Sequence, residues 1–289
     1  MSKLKVGVVG LGAMGEPMAR NLAAAGLLSG VHNRTLARAK AFAEATGVKA
    51  HSDVAALAAE ADVILSCVSA DQDLHEVIDR ARAGFMHGTI WIDTSTVRPA
   101  TAQALCLDLK NDQIDFLDAP ISGGVEGAKA GTLSVMVGGD EQALNRAMPV
   151  LESIGKRITY MGASGSGQAT KAINQVMVAG IASAVAEGLA LAEQLELPLE
   201  RVVEVIMSGA ASSWFLGRRA PTMLSDTFNL GFKSELMLKD LHICAGLKPG
   251  ALPLVGRAIA DFTALVEAGH GSDDISALIR LSRKRLALT

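Results

Sequence analysis

The chain has 289 residues, 49% hydrophobic but only 3% aromatic, and a formal net charge of −3. That length predicts two domains with cores built from Ala, Val, Leu, Ile and Met, and alanine richness favours helix. With no long basic run, the electrostatic footprint of a nucleic-acid binder is absent and no nucleic-acid partner is expected.

The first half alternates strand and helix. Val6 to Val9 is a short β-branched run, Pro17 to Ala25 reads as helix ending at Gly26, and a second strand runs near Leu28 to His32. Helix returns from Leu36 to Ala45 and stops at Gly47. Strands follow at Val63-Ile64-Leu65, Thr89 to Asp93, Asp115 to Asp118 and Leu133 to Val137. This alternation predicts a mainly parallel sheet wrapped by helices. After about residue 163 the strand pattern ends. Residues 168–195 form one long helical pattern, with later helices from near Glu200, Leu236, Pro253 and Asp273. The domain boundary is placed in Gly162 to Gly167, giving a dinucleotide-binding domain over 1–163 and an all-helical domain over 164–289.

Met1 to Lys5 runs straight into the first strand and leaves no room for a signal peptide. The longest apolar stretch, Val176 to Ala186, is too short to span a bilayer. A soluble, cytoplasmic protein is expected. Cys67, Cys106 and Cys244 form no CxxC, which fits a reducing compartment, and Cys67 and Cys106 read as small buried hydrophobes. The six histidines show no metal spacing, so no metal is required.

Gly10-Leu11-Gly12-Ala13-Met14-Gly15 is GxGxxG directly after the first strand. The glycines permit a tight turn, close approach of backbone to a pyrophosphate, and close strand–helix packing. The following helix start offers N–H groups and the positive end of its dipole. The second strand ends at His32-Asn33-Arg34-Thr35, and no Asp or Glu occurs between Glu16 and Glu44. NAD sites usually place a carboxylate there for the ribose diol. A guanidinium instead suits a 2′-phosphate. Asn33, Arg34 and Thr35 therefore point to NADP, with NAD possible; the alternative is a solvated arginine in a turn.

Asp118-Ala119-Pro120-Ile121-Ser122-Gly123-Gly124 follows a strand. Its N–H groups and the Ser122 hydroxyl suit a small carboxylate, but an ordinary glycine turn has the same sequence. Gly165 to Gln175 opens on glycines and places Lys171 on the first turn of the long helix. Asn174 and Gln175 lie three and four residues on, on the lysine's face. A lysine beside two amides suits proton transfer. Lys239 and Asp240 are adjacent and, by themselves, read as a surface pair.

Together these segments, with Gly131-Thr132-Leu133 and Leu238-Lys239-Asp240-Leu241, resemble the β-hydroxyacid dehydrogenase family, which includes 3-hydroxyisobutyrate dehydrogenase and several semialdehyde reductases. They span nearly the whole chain in the family's order. The resemblance implies an α/β Rossmann domain followed by an all-α domain, joined by a long helix. It implies Lys171 as catalytic residue, with Ser122, Gly123, Gly124, Asn174 and Gln175 holding the substrate. Phe232 and Asp240 match substrate-side positions. Thr96 matches a nicotinamide-side position, Lys239 a cofactor- or substrate-proximal lysine, and Cys67 and Val68 sit at the cofactor side. Many members carry a proline within Cys67-Val68-Ser69, which this chain lacks. The Asn-Arg-Thr turn is like the NADP-using reductases, whereas Ser-Gly-Gly-Val is like the hydroxyisobutyrate branch, so the cues disagree about substrate. The expected activity is an NADP-linked interconversion of a small β-hydroxy acid and its semialdehyde, in a homodimer or homotetramer. Two rivals are an imine reductase of the same architecture, which Lys171 argues against, and a non-catalytic NADP(H)-binding module, which Lys171 with Asn174 disfavours.

Overall fold

The computed structural model describes residues 3–229 and 231–287. The chain divides into two compact units, residues 1–171 and 172–289.

The first unit runs β1 (Val6–Val9), α1 (Gly15–Ala24), β2 (Leu28–His32), α2 (Leu36–Thr46), β3 (Lys49–Ala50), α3 (Val54–Ala58), β4 (Val63–Ser66), α4 (Asp71–Ala81), β5 (Ile90–Asp93) and α5 (Pro99–Asn111). It continues through β6 (Asp115–Asp118), β7 (Ile121–Ser122), α6 (Gly124–Ala130), β8 (Leu133–Gly138), α7 (Glu141–Ile154), β9 (Gly155–Gly162) and the start of α8 (Ser166–Gln194). The strands make one sheet in the order β3-β2-β1-β4-β5-β6-β8-β7, with β9 beside β8. Pairing is parallel from β3 to β6; β8 runs antiparallel to β6 and β7, and β9 parallel to β8. Every residue of β1, β4 and β5 is buried. That fits a parallel sheet covered on both faces. One face packs Met18, Leu22 and Leu151 against Val8, Leu65 and Ile92, and the other packs Leu57, Leu74, Ile78 and Leu105 against Ile64 and Trp91. After β3 the chain crosses to the other side of β1, so the strand order reverses between β1 and β4. In open α/β sheets ligands bind at the carboxyl ends of strands beside such a reversal.

The elements expected from alternation are found within one or two residues. The sequence reading omits β9, an edge strand with mostly exposed residues and no apolar alternation. It also omits the two-residue strands β3 and β7 and gives no bounds for helices α3 to α7, nor for the helix over Trp214–Leu224.

The second unit holds the rest of α8 with α9 (Leu199–Met207), α10 (Trp214–Leu224), α11 (Ser234–Leu247), α12 (Pro253–Leu265) and α13 (Leu278–Ala287). Small residues of α8, including Ala179, Ala182 and Ala186, let Met223, Met237, Leu241 and Phe262 close around it in one core. The last helix starts at Leu278 rather than Asp273. Asp274 accepts the Ser276 N–H and starts a short 3₁₀ turn over Ile275–Ala277 first. Helix α8 has 29 residues and contains an 18-residue window of mean hydropathy 1.6, so it is long and apolar enough to cross a membrane by length and composition. The uninterrupted run Val176 to Ala186 understates this, because the helix is apolar well beyond that run.

Helix α7 shows how locally these elements are specified. Asp140 is extended at the helix start, and its Oδ1 accepts the Ala143 N–H at 2.9 Å. Asp140→Ala should lower stability by about 0.5–2 kcal/mol, the usual cost of losing such a cap, read from urea midpoints at unchanged slope.

Candidate active site

The β1–α1 turn is built by close packing. A Cβ on Gly10, which has φ +93°, would lie 2.2 Å from the Cys67 carbonyl oxygen, and one on Gly15 would lie 2.0 Å from the Gly10 carbonyl oxygen. At Gly12 a Cβ would meet nothing within 4 Å. Two glycines are thus demanded by the protein's own packing, while the middle one faces open space, as expected where a pyrophosphate approaches backbone. No side chain among the described residues caps α1, which leaves its first N–H groups and dipole for an anion.

Asn33 holds this turn in place. Its Oδ1 accepts the Leu11 N–H at 2.9 Å and its Nδ2 donates to the Thr35 carbonyl at 3.0 Å. Arg34, with its side chain 84% exposed, pairs with Asp73 at 3.0 Å. Thr35 begins α2 without a side-chain cap. These residues are compatible with a dinucleotide: Gly12 leaves room for a phosphate to approach the backbone, and Arg34 offers an exposed cation just past the end of β2.

At the carboxyl ends of β4, β5 and β6 lies a buried polar network. Trp91 Nε1 donates to Ser66 Oγ at 2.9 Å; the hydroxyls of Ser66 and Ser95 each donate to Asp93 Oδ1 at 2.7 Å. Val68 N–H donates to Ser95 Oγ at 2.8 Å, which ties the Cys67-Val68 segment to β5. Asp93 is fully buried, and its Oδ2 lacks a hydrogen-bond partner among the described residues. Burial pushes its carboxyl up to about 6, against the serine hydrogen bonds that pull it down. On the neighbouring strand, paired with Asp93 across the sheet, Asp118 accepts the Gly165 N–H at 2.8 Å and the Gln168 N–H at 2.9 Å, with Ser164 Oγ at 3.3 Å. Burial also raises this carboxyl, although the helix N–H groups oppose the shift. A Cβ on Gly167 would lie 2.4 Å from the Met136 carbonyl oxygen and 2.6 Å from that of Asp118. Glycine is needed there for the start of α8 to reach the carboxylate.

One turn further on, Lys171 is 8% exposed and its Nζ donates to the Ile121 carbonyl at 2.9 Å. Ser122 follows directly, paired with Ser134 at the end of β7. Gly123 (φ +133°) and Gly124 (φ +65°) then turn the chain in conformations that favour glycine. Lys171 is therefore held against the Ser-Gly-Gly loop. Thr96 sits half-buried between the buried residues Ser95 and Val97.

In the helical unit a second polar chain runs through residues singled out by sequence. Asn174 Nδ2 donates to Gln175 Oε1 at 2.8 Å, and Gln175 Nε2 donates to Asp240 Oδ2 at 2.7 Å. Lys239 Nζ lies 3.0 Å from Asp240 Oδ1. The surface-pair reading of Lys239 and Asp240 is corrected: Asp240 is 2% exposed, and the flexible lysine stem curls back to it although the two residues are adjacent. Phe232 is partly buried and packs against the helical core. Sequence reasoning passed over Asp93, Ser95, Asp118 and Gln168 as site residues. Only the Asp118 and Gln168 motifs gave any signal.

A glycine turn at the head of a doubly wound sheet is the arrangement of a dinucleotide-binding fold. The comparisons agree. The family profile for the NAD binding domain of 6-phosphogluconate dehydrogenase matches residues 5–162, and that for the NAD-binding region of NADP-dependent 3-hydroxyisobutyrate dehydrogenase matches residues 165–282. The chain is 35% identical to the 2-hydroxy-3-oxopropionate reductase of Escherichia coli, over 96% of each chain. The solved structure of Mycobacterium tuberculosis 3-hydroxyisobutyrate dehydrogenase with L-serine has a TM-score of 0.88 at 32% identity, covering 98% of this chain and 100% of that one. The structure of Psf3 in complex with NADP+ and 2-OPP has a TM-score of 0.88 at 27% identity, covering 96% and 99%. An imine reductase from Pseudomonas sp. has a TM-score of 0.66 at 18% identity over 96% and 99%, a likeness of fold alone. The chain belongs to the β-hydroxyacid dehydrogenase family. It is an oxidoreductase of the type that uses a nicotinamide cofactor.

The Asp93 carboxyl generates a pH test. Its folded pKa of about 6 stands above the ordinary 3.8, so the folded state holds this proton more tightly than the unfolded chain. That contribution is complete below pH 3.8 and is lost as pH rises through about 6. Between about pH 4 and 7, wild type should therefore lose on the order of 3 kcal/mol relative to Asp93→Asn, measured as the difference between their urea stabilities at each pH. Parallel curves would show that Asp93 does not titrate this way.

Proposed function

We propose that this protein is an NADP-linked oxidoreductase that interconverts a small β-hydroxy acid and its semialdehyde. The observation that carries this reading is the buried Lys171, held on the Ile121 carbonyl beside Ser122, Gly123 and Gly124. The E. coli relative is named for reducing 2-hydroxy-3-oxopropionate, a semialdehyde. That supports the substrate class.

The adenine ribose is assigned to the turn at Asn33, Arg34 and Thr35, and the pyrophosphate to Gly10–Gly15. Cys67, Val68 and Thr96, which follow the carboxyl ends of β4 and β5, would hold the rest of the dinucleotide. The nicotinamide supplies the hydride in reduction and takes it in oxidation. Lys171 gives a proton to the developing alkoxide and takes it back in the reverse direction. Its ammonium also stabilises the negative charge on that oxygen. Ser122 and the N–H groups of Gly123 and Gly124 hold the substrate carboxylate. Asn174, Gln175, Phe232 and Asp240 are assigned to the substrate side and Lys239 to the cofactor side, on the family pattern. We read α8 as the core helix of a soluble, cytoplasmic protein rather than a span, and the assembly as a homodimer or homotetramer.

Lys171→Ala should reduce kcat by roughly 100- to 10,000-fold, the usual cost of losing a general acid, with dinucleotide affinity retained in fluorescence titrations. A variant keeping more than about a tenth of wild-type turnover, a loss below even that range, removes the role assigned here.

Arg34→Ala should weaken NADPH binding about ten- to a hundred-fold and leave NADH nearly unchanged, because only NADPH carries the 2′-phosphate and a charge-assisted hydrogen bond contributes about 1.5–3 kcal/mol. Asp73 already engages Arg34, which places the effect toward the lower end. Dissociation constants for both cofactors check it; equal loss for both contradicts the NADP assignment.

A further inference from the structure

Gln168 is 1% exposed and is used at both ends. Its Oε1 accepts the Val97 N–H at 3.1 Å, and its Nε2 donates to the Ser95 carbonyl at 2.8 Å. The side chain thus takes up the backbone groups on either side of Thr96, from a position more than seventy residues away in sequence. Its own backbone N–H donates to Asp118 Oδ2 at 2.9 Å. Three residues later on the same helix stands Lys171. Ser95 is bonded in turn to Asp93 and Val68. One primary amide is suited to this place. Its carbonyl meets an N–H and its NH₂ meets a carbonyl, so both backbone groups are satisfied and no charge is buried.

We propose that Gln168 is a positioning residue for the reaction: its amide fastens the Ser95-Thr96-Val97 segment to the start of the Lys171 helix, so that the hydride side and the proton donor are held as one rigid piece. This rests on the functional reading above, in which Thr96 lies toward the nicotinamide and Lys171 toward the substrate oxygen. Hydride and proton transfer need both groups at fixed separation, and a displacement of about 1 Å can cost on the order of 100-fold in rate. Gln168 touches neither reacting atom. It acts through the two segments it joins.

Two variants test the proposal. In Gln168→Ala both amide bonds are lost. Hydrogen–deuterium exchange of peptides covering residues 94–98, in the ligand-free protein, should accelerate at least about tenfold while the β1–α1 peptides stay unchanged; this readout needs no turnover. The same variant should lose roughly 10- to 100-fold in kcat, with NADPH affinity within about threefold of wild type, under 1 kcal/mol by the affinity scale. Gln168→Glu supplies a different signature. A carboxylate can accept from Val97 but repels the Ser95 carbonyl, whereas the protonated acid can donate to it as the amide does. The ratio of variant to wild-type kcat should therefore rise as pH falls, through a carboxyl raised by burial.

Unchanged exchange at 94–98 in Gln168→Ala overturns the proposal, as does unchanged kcat, a loss confined to cofactor affinity, or a pH-independent ratio for Gln168→Glu. If Gln168→Ala does not fold, the Gln168→Glu pH profile and exchange decide. If wild type turns over no semialdehyde, the functional reading falls, and the exchange experiment still decides whether Gln168 fastens the loop.

Discussion

The carboxylate of Asp118 at the end of β6 holds the first turn of α8, and the arrangement around Lys171 depends on it. A buried carboxylate is costly unless its oxygens are satisfied. Here the N–H groups of Gly165 and Gln168 and the positive end of a 29-residue helix satisfy it. The helix start, in turn, needs an acceptor for N–H groups that have no partner within the helix. Each resolves the other's deficit. The result fixes the first turn of α8 at the end of β6, and with it the depth to which Lys171 reaches toward the Ile121 carbonyl. Gly167 permits the approach, because a methyl group there would collide with two carbonyl oxygens.

From that anchor the polar network passes sideways across the strand ends. Asp93, Ser66, Ser95 and Trp91 bond one another at the strand ends, and Val68 joins from the segment after β4. The sheet thereby presents three adjacent strand ends as a single surface rather than as three independent loops. The price is a strained electrostatic balance, with two buried carboxyls raised by desolvation in neighbouring strands. Perturbed carboxyls of this kind collect where function constrains a fold. The helical unit has a buried carboxylate that acts as a clamp. Asp274 accepts from the N–H groups of Phe232 and Ser276 and lies 3.3 Å from Arg219, so the segment leading into α11 is clamped.

Much of this was legible in the sequence because it is local. The glycine turn announces itself by three glycines at fixed spacing after a β-branched run. The alternation of strand and helix, and its end near residue 163, follows from periodicity. Lys171 and the Ser-Gly-Gly loop were found as short motifs. Gln168 stands inside a legible motif, but nothing local says that its amide reaches Ser95 and Val97. Asp93 reads as the end of a strand, and only tertiary pairing with Ser66 and Ser95 makes it a buried titrating group. Lys239 and Asp240 misled for the opposite reason: adjacency on a helix suggests divergent directions, yet a lysine stem is long enough to fold back. The edge strand β9 escaped because an exposed strand carries no apolar alternation.

The most direct test of the account is a set of initial rates for the wild-type protein with NADPH and NADH. Glyoxylate, succinic semialdehyde, methylmalonate semialdehyde and tartronate semialdehyde are the substrates to compare. The account predicts reduction of at least one of them, with higher kcat/KM for NADPH than for NADH. Absence of turnover with all four and both cofactors, in protein that binds the dinucleotide, would contradict it.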